Sequence, residues 1–317
     1  MTKITIAYAP DIKMLTLTLV SMASVLKNAA SDDEIEFVIM YADLADKYLA
    51  AFNTLQHLKP HTVKFCKINT DIFADFPLPN WVTTETWFRV LLGDLLPNDD
   101  KVLYLDCDTI VRASLAPLFT LDLSNYDIAC VEDVSKSKQK AAYLGISDLY
   151  CNAGVLLLNL DRWRKDAFFT RLTNCMEHNN HISNDQDAIN AAAEGHKLRL
   201  HPKYDYMHVW WHANTPEYDA DYAALFTQAE QNPVIVHFVG VKPIHKECRN
   251  RFTSEYQAYA ALVPEYVALN NEIGIHKTGK GRPKLPWYKR LLWLETSTDK
   301  THYYLNILGL CIRLKRA

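Results

Sequence analysis

The chain has 317 residues, 49% of them apolar and 22% charged, and 34 Lys and Arg against 37 Asp and Glu leave a formal net charge of -3. That length buries a large core, as one sizeable α/β domain with an appendage or as two domains, and an ordinary composition without repeats or low-complexity tracts excludes disordered and fibrous classes. No stretch reaches about 18 uninterrupted apolar residues, which excludes a membrane-spanning helix.

Apolar runs predict strands at Lys3 to Ala9, Glu34 to Ala42 and Thr62 to Ile68, with helical spacing between them at 14–29 and 43–58. This β-α-β-α-β order is the pattern of a parallel sheet with helices on both faces. The N-terminal run lacks the layout of a signal peptide. Seven cysteines without a C-x-x-C pair fit reduced, buried thiols, so a cytoplasmic location is expected.

Next, "TTETWFRVLLGDLLP" predicts a helix capped by Thr83 or Thr84, with Trp87, Val90, Leu91 and Leu95 as its apolar face and Pro97 ending it. Strands follow at 101–106, 127–131 and 151–160, then helices at 161–178 and 184–194. The chain turns aromatic and polar through "YDYMHVWWHANTPEYD". A short strand "PVIVHF" precedes "VGVKPIHKE", and a helix near 249–262 finishes the compact part. "HKTGKGRPKLP" has the composition of a linker. The expected organisation is a main domain over 1–265 and a tail over 266–317.

Asp106 and Asp108 stand at the end of the strand at 101–106, and open α/β sheets bind ligands beyond the carboxyl ends of their strands. Two unpaired carboxylates there would repel each other and lose hydration, so a cation is expected to compensate them. A D-x-D in that place offers hard oxygen ligands to Mg²⁺ or Mn²⁺ and leaves positions free for phosphate oxygens. The plainer reading is that both acids cap the turn into the helix near "RASLAPLF". A phosphatase of the haloacid-dehalogenase type, with Asp106 as nucleophile, is a competing reading; Ile110 at the Thr or Val position of D-x-D-x-T/V weakens it.

Within "VHFVGVKPIHKE", His237 offers an imidazole ligand, Gly240 a backbone open to phosphate and Lys242 an ammonium group. A strand-end histidine is by default a satisfied core or surface residue. "SNDQDAIN" reads as a helix start with Ser183 or Asn184 as cap, and Asp185 and Gln186 are suited to gripping sugar hydroxyls.

In this order and at these intervals, "FRVLLGDLLPNDDKVLYLDCDTIVRASLAPLF", "CNAGVLLLNLDRWR", "NDQDAIN" and "HFVGVKP" resemble glycosyltransferase family 8. These are the retaining sugar-nucleotide-dependent enzymes that include bacterial lipooligosaccharide galactosyl- and glucosyltransferases and glycogenin. The likeness covers about residues 3–250. It implies a GT-A fold, a Rossmann-like mixed sheet flanked by helices, and a Mn²⁺ ion, with Mg²⁺ as a substitute, bound by Asp106, Asp108 and His237 and bridging the two phosphates of UDP. It also implies that Lys242 adds positive charge there, that Arg89 contacts the donor sugar, and that Asn152 and Ala153 line the donor pocket. The Asp185 carboxylate would bind sugar hydroxyls while the Gln186 amide lies near the anomeric carbon. Asp11 matches the first residue of the family's D-D-N, which reads the uracil, whereas Ile12 and Lys13 depart from the rest of that motif. Ala9, Cys107 and Gly240 complete the implied donor-binding set. The loop after His237 is one residue shorter than the family's, and Ile244 replaces a tryptophan.

The implied activity moves galactose or glucose from a UDP-sugar to a hydroxyl of a lipooligosaccharide-type glycan or glycolipid. A non-catalytic sugar-nucleotide-binding protein is the remaining alternative. Gln186, a poor nucleophile, holds the place of a covalent nucleophile, so a front-face mechanism is expected ahead of double displacement through Asp185.

Residues 276–317 carry ten Lys and Arg against two acids, interleaved with Trp287, Tyr288, Trp293, Tyr303 and Tyr304. This suits a helical tail on an anionic bilayer, attached peripherally at the cytoplasmic face, where each basic residue adds about 1 kcal/mol. A solvated basic tail is the plainer reading, and no nucleic-acid-binding fold accompanies the charge, so no nucleic-acid partner is expected. The segment 204–216 is expected to form part of the acceptor wall.

Overall fold

The computed structural model describes residues 2–133, 137–208, 220–275, 292–296, 302–307 and 310–315. Two compact units divide the chain, Met1–Ile275 and His276–Ala317. The first contains β1 (Thr2–Tyr8), β2 (Asp33–Tyr41), β3 (His61–Lys67), β4 (Lys101–Leu105), β5 (Thr109–Val111), β6 (Ile128–Glu132), β7 (Cys151–Asn159), β8 (Lys197–Arg199) and β9 (Ile235–His237). Seven of these build one sheet in the order β3-β2-β1-β4-β7-β6-β8, and β5 pairs with β9 in a separate ribbon.

The parallel pattern read from the strand order holds from β3 to β4. β7 then runs against both of its neighbours, β4 and β6, while β8 is parallel to β6. The helix Ser137–Leu144 between β6 and β7 is thus an excursion within an antiparallel connection. The result is the mixed sheet implied by the resemblance. One reversed strand has a functional consequence: the start of β7 lies at the same edge of the sheet as the ends of β1, β4 and β6.

Both faces of the sheet are covered, as its apolar strands require. Successive side chains of a strand point to opposite faces. Accordingly Leu103 and Leu105 of β4 join a core that includes Ile4, Ile6 and the helix Leu15–Asn28. Val102 and Tyr104 join a second core with Val38, Leu156 and Ile189. β7 is buried along its whole length.

Several predicted helices take tighter or broken forms. The segment 83–96 is a 3-10 helix over Thr84–Leu91 followed by one α turn, Leu92–Leu95. In a 3-10 helix residues three apart eclipse, so Thr86 and Arg89 stack on one face. The segment 161–178 splits into Leu160–Lys165 and Phe168–His178 at Ala167, whose φ of 46° cannot continue a right-handed helix. Trp163 and Phe168 stack across the break with ring centroids 3.9 Å apart.

The first unit extends ten residues past the boundary expected at 265. Its last helix, Tyr266–Ile273, is tied down by a hydrogen bond from the Thr16 hydroxyl to Asn270 Oδ1 at 2.7 Å and by buried Leu269. The second unit contains β10 (Leu292–Thr296), β11 (His302–Ile307) and β12 (Leu310–Lys315), paired antiparallel. This corrects the expected helical tail over these residues. Leu310, Ile312 and Leu314 alternate with Cys311, Arg313 and Lys315, which is a strand period. Trp287 and Tyr288 lie outside the described residues. Among the described residues no helix is long and apolar enough to cross a membrane.

Candidate functional site

β4 delivers Asp106 one residue beyond its end. The Asp106 N–H donates to the Gly154 carbonyl at 2.7 Å, which continues the pairing of β4 with β7. Tyr104, two residues earlier and so on the same side of the strand, donates its hydroxyl to Asp106 Oδ1 at 3.0 Å. Arg89 Nη2 donates to the same oxygen at 3.1 Å. With Oδ1 held, Oδ2 lies 3.7 Å from His237 Nε2.

The short ribbon brings the histidine to the two acids. Thr109 pairs with His237 across β5 and β9, and the Phe238 N–H donates to the Asp108 carbonyl at 2.9 Å. Asp108 Oδ1 stands 3.4 Å from His237 Nε2, and its other oxygen accepts from the Lys242 ammonium. One ligand atom each from Asp106, Asp108 and His237 therefore falls within 4.8 Å of the others. The alternative role of the acids as helix caps is not adopted: the helix Ala116–Phe119 begins from Leu115, with no side-chain cap.

Gly154 closes this cluster from β7. A Cβ at that position would stand 2.3 Å from His237 Cε1 and 2.8 Å from Asp106 Oδ2, so no larger residue fits beside the convergence. The other ring nitrogen, His237 Nδ1, is 3.0 Å from Asp205 Oδ1. Among the described residues, the carboxylates of Asp106, Asp108, Asp185 and Asp205 meet only Arg89 and Lys242 as permanent cations.

Burial alone would push the Asp108 carboxyl up, but Lys242 and His237 outweigh it and hold it below the usual carboxylate range. Burial would lower the His237 imidazole, yet Asp108 and Asp205 override this and raise it well above its ordinary value. Surplus negative charge, hard oxygens and an imidazole within one ion's reach fit Mn²⁺ or Mg²⁺.

Beside this cluster, Arg89 is 4% exposed and its fork is fully engaged. Nε donates to the Thr86 carbonyl at 2.9 Å, Nη1 to the Ala153 carbonyl, and Nη2 reaches Thr86 Oγ1, Asp106 and, at 3.4 Å, Asp185 Oδ2. The guanidinium also lies 4.0 Å from the Tyr104 ring centroid. Burial raises the Asp185 carboxyl, and Arg89 and Thr86 only partly offset this.

Asn184 caps the helix Asp185–Ala192, accepting from the Asp187 N–H at 2.8 Å, which decides between the two caps expected. Gln186, in its first turn, is locked on both sides. Oε1 accepts from the Ala153 N–H at 3.0 Å, and Nε2 donates to Asp133 Oδ2 at 3.0 Å and to the Tyr150 hydroxyl at 3.1 Å. Tyr150 in turn donates to Asp187 Oδ1 at 2.7 Å. Asn152 donates to Asp133 at 3.3 Å and accepts from the Gly154 N–H at 2.8 Å.

The structure thus brings together Asp106, Asp108, His237, Lys242, Arg89, Asn152, Ala153, Asp185 and Gln186. Ala9 is buried just past the end of β1, at the same edge of the sheet. Asp11 accepts from the Met14 N–H at 2.9 Å and so caps the 3-10 turn Ile12–Met14. Cys107 belongs to the core that includes the helix Leu15–Asn28. Gly240 turns the chain after β9 with a left-handed φ of 82°. Of the segment 204–216, residues 209–216 lie outside the described residues.

Tyr104, Asp133, Tyr150, Gly154 and Asp205 join the site beyond the residues expected from the sequence. Tyr104 was findable, because it shares a face with Asp106 by the two-residue period. Asp205 lies in the segment 204–216 expected at the acceptor wall, and no local pattern points it to His237.

The family model "Glycosyl transferase family 8" matches residues 5–248. General stress protein A of Bacillus subtilis is 25% identical over 207 residues, covering 62% of this chain and 72% of that protein. A lipopolysaccharide 1,2-glucosyltransferase of Escherichia coli K12 is 25% identical over 249 residues, covering 76% of this chain and 72% of that protein. Among solved structures, the galactosyltransferase LgtC in complex with donor and acceptor sugar analogs superposes with a TM-score of 0.75 and 27% identity, covering 84% of this chain and 100% of that one.

Proposed function

The chain belongs to glycosyl transferase family 8, and from this premise we propose that it is a retaining hexosyltransferase that uses a UDP-sugar and a divalent ion, Mn²⁺ by preference. Its sheet of seven strands flanked by helices is the mixed α/β fold, close to the GT-A fold of LgtC. The matched family leaves the phosphatase reading of Asp106 without support. One observation carries the proposal: Asp106 Oδ2, Asp108 Oδ1 and His237 Nε2 converge while the second atom of each group is already held by a neighbour. A bound ion would neutralise the charge that develops on the diphosphate as the sugar leaves.

The chain's own residues do the rest. Arg89 and Tyr104 fix Asp106, and Lys242, which here bonds Asp108, would add positive charge toward a bound diphosphate. Gln186 is an amide held rigid by Ala153, Asp133 and Tyr150, and it cannot supply a carboxylate nucleophile. Asp185 is tied to the Arg89 fork and is equally ill-placed for covalent attack. Both facts favour front-face transfer, with Gln186 supplying a fixed dipole that stabilises positive charge on the sugar ring.

The acceptor is a hydroxyl of a lipooligosaccharide-type glycan, by analogy with the glucosyltransferase and galactosyltransferase relatives, and the sugar is glucose or galactose. The catalytic machinery occupies the first unit, and the basic tail attaches the enzyme to the anionic cytoplasmic face of a membrane.

A screen of UDP-galactose, UDP-glucose and UDP-N-acetylglucosamine for hydrolysis, with Mn²⁺ and without acceptor, tests the assignment. Metal-dependent release of UDP from one of the hexose donors is the expected result. Binding without turnover would instead support a non-catalytic binding protein.

A further inference from the structure

We propose that Asp205 is a positioning residue for the metal centre: it holds the His237 ring so that Nε2 presents its lone pair toward Asp106 and Asp108. The inference rests on the reading of these three residues as metal ligands.

The backbone places Asp205 rigidly. His201 caps the 3-10 turn Pro202–Tyr204, its Nδ1 accepting from the Lys203 N–H at 3.1 Å. The segment then runs beside β9: Val234 N donates to the Lys203 carbonyl at 2.7 Å, Tyr206 N to the Ile235 carbonyl at 2.9 Å, and His237 N to the Tyr206 carbonyl at 3.1 Å. Tyr206 and Val236 form a parallel bridge. β9 is therefore gripped between β5 on one side and residues 203–206 on the other, with its histidine pinned between Asp108 and Asp205.

The Asp205 side chain is 0% exposed. Its Oδ1 accepts from His237 Nδ1 at 3.0 Å, and among the described residues its Oδ2 has no hydrogen-bond partner. A fully buried carboxylate with one oxygen bare costs stability, and a neutral isostere would cost less. Its single described hydrogen bond is to the imidazole, so what it contributes acts through that ring. An Nδ1–H donated to a carboxylate fixes the tautomer and the ring plane and makes Nε2 a better metal ligand.

The test is a double-mutant cycle with Mn²⁺ alone as the probe, its affinity read by electron paramagnetic resonance and the metal-free melting temperature recorded alongside. Asp205→Asn keeps the volume and a carbonyl oxygen for Nδ1–H, and Asp205→Ala removes the acceptor. The expected losses of Mn²⁺ affinity are on the order of 10- to 100-fold for Asp205→Ala and smaller for Asp205→Asn. The metal-free melting temperature of Asp205→Asn checks that the variant is folded at the temperature of the titration. In a His237→Ala background, Asp205→Asn should have no further effect on Mn²⁺ affinity.

Unchanged affinity in both Asp205 variants would overturn the proposal. So would an equal loss in both backgrounds, which would make Asp205 a plain source of negative charge. Failure of the wild-type protein to bind Mn²⁺ at all would instead remove the metal-centre reading beneath it.

Discussion

Thr109 and His237 face each other across the two-stranded β5–β9 ribbon, and this pairing carries an imidazole from more than a hundred residues away to within 3.4 Å of Asp108 Oδ1. The register of three residue pairs, Thr109 with His237, Ile110 with Val236 and Val111 with Ile235, fixes where the imidazole stands relative to the two acids. A slip by one residue would turn the imidazole to the opposite face.

Gly154→Ala is expected to abolish metal binding, because its Cβ would stand 2.3 Å from His237 Cε1 and 2.8 Å from Asp106 Oδ2. Overpacking of this kind costs on the order of 1–3 kcal/mol of stability. Mn²⁺ titration together with a melting curve separates the two effects: the metal signal should vanish in protein that remains folded.

Arg89→Lys removes a fork that bonds Thr86, Ala153, Asp106 and Asp185 in a buried setting. Lysine keeps the positive charge but not the planar fork, and each lost hydrogen bond to a charged group costs about 1.5–3 kcal/mol. Denaturant unfolding of the metal-free protein should show a loss of that order, with weaker metal binding in whatever remains folded.

Gln186→Ala should leave Mn²⁺ and UDP affinity near wild type while kcat falls by about 10²-fold or more, the effect of removing one fixed dipole from a reacting centre. Calorimetric titration with UDP checks the first half and steady-state kinetics the second. A large rise in the UDP dissociation constant would instead assign Gln186 to ground-state binding.

The pH dependence of metal binding follows from His237. Its imidazole is raised above the ordinary 6.5 by Asp108 and Asp205 against the opposing effect of burial. A metal needs the bare Nε2 and must displace a proton, so affinity should climb as pH rises from 6 to 8. Stability of the metal-free protein runs the other way. A raised imidazole contributes fully below 6.5, and that contribution is lost as pH rises through the folded value. Melting in EDTA from pH 5 to 9, with His237→Asn as reference, should show wild type losing its advantage toward high pH.

Truncation after Ile275 cuts between the two compact units. UDP-hexose hydrolysis should survive it. Sedimentation with vesicles containing anionic lipid should drop, and binding of the full chain should weaken as salt rises.

Much of this architecture is readable from residues. The strands at β1, β2, β3 and β4, the cap at Asn184 and the D-x-D at a strand end are local signals, carried by apolar period and by short polar motifs. His237 could be nominated by its strand-end place, although its approach to Asp108 depends on a ribbon register that no local pattern encodes. Asp205 and Asp133 lie in stretches whose spacing resembles any polar turn, and only tertiary contact gives them partners. The 3-10 form of Thr84–Leu91 was hidden for a related reason. Its apolar positions satisfy a helix of either pitch, and the bonds from Arg89 to Thr86 accompany the tighter one. The strands of the tail were legible in the alternation of Leu310, Ile312 and Leu314, which the charge of the segment obscured.

Anomalous diffraction from crystals soaked with Mn²⁺ and UDP tests the central claim most directly. One manganese peak is predicted at bonding distance from Asp106 Oδ2, Asp108 Oδ1 and His237 Nε2, with the two phosphates of UDP completing its coordination. A diphosphate seated without manganese among these three side chains, or a manganese peak elsewhere on the chain, would contradict it.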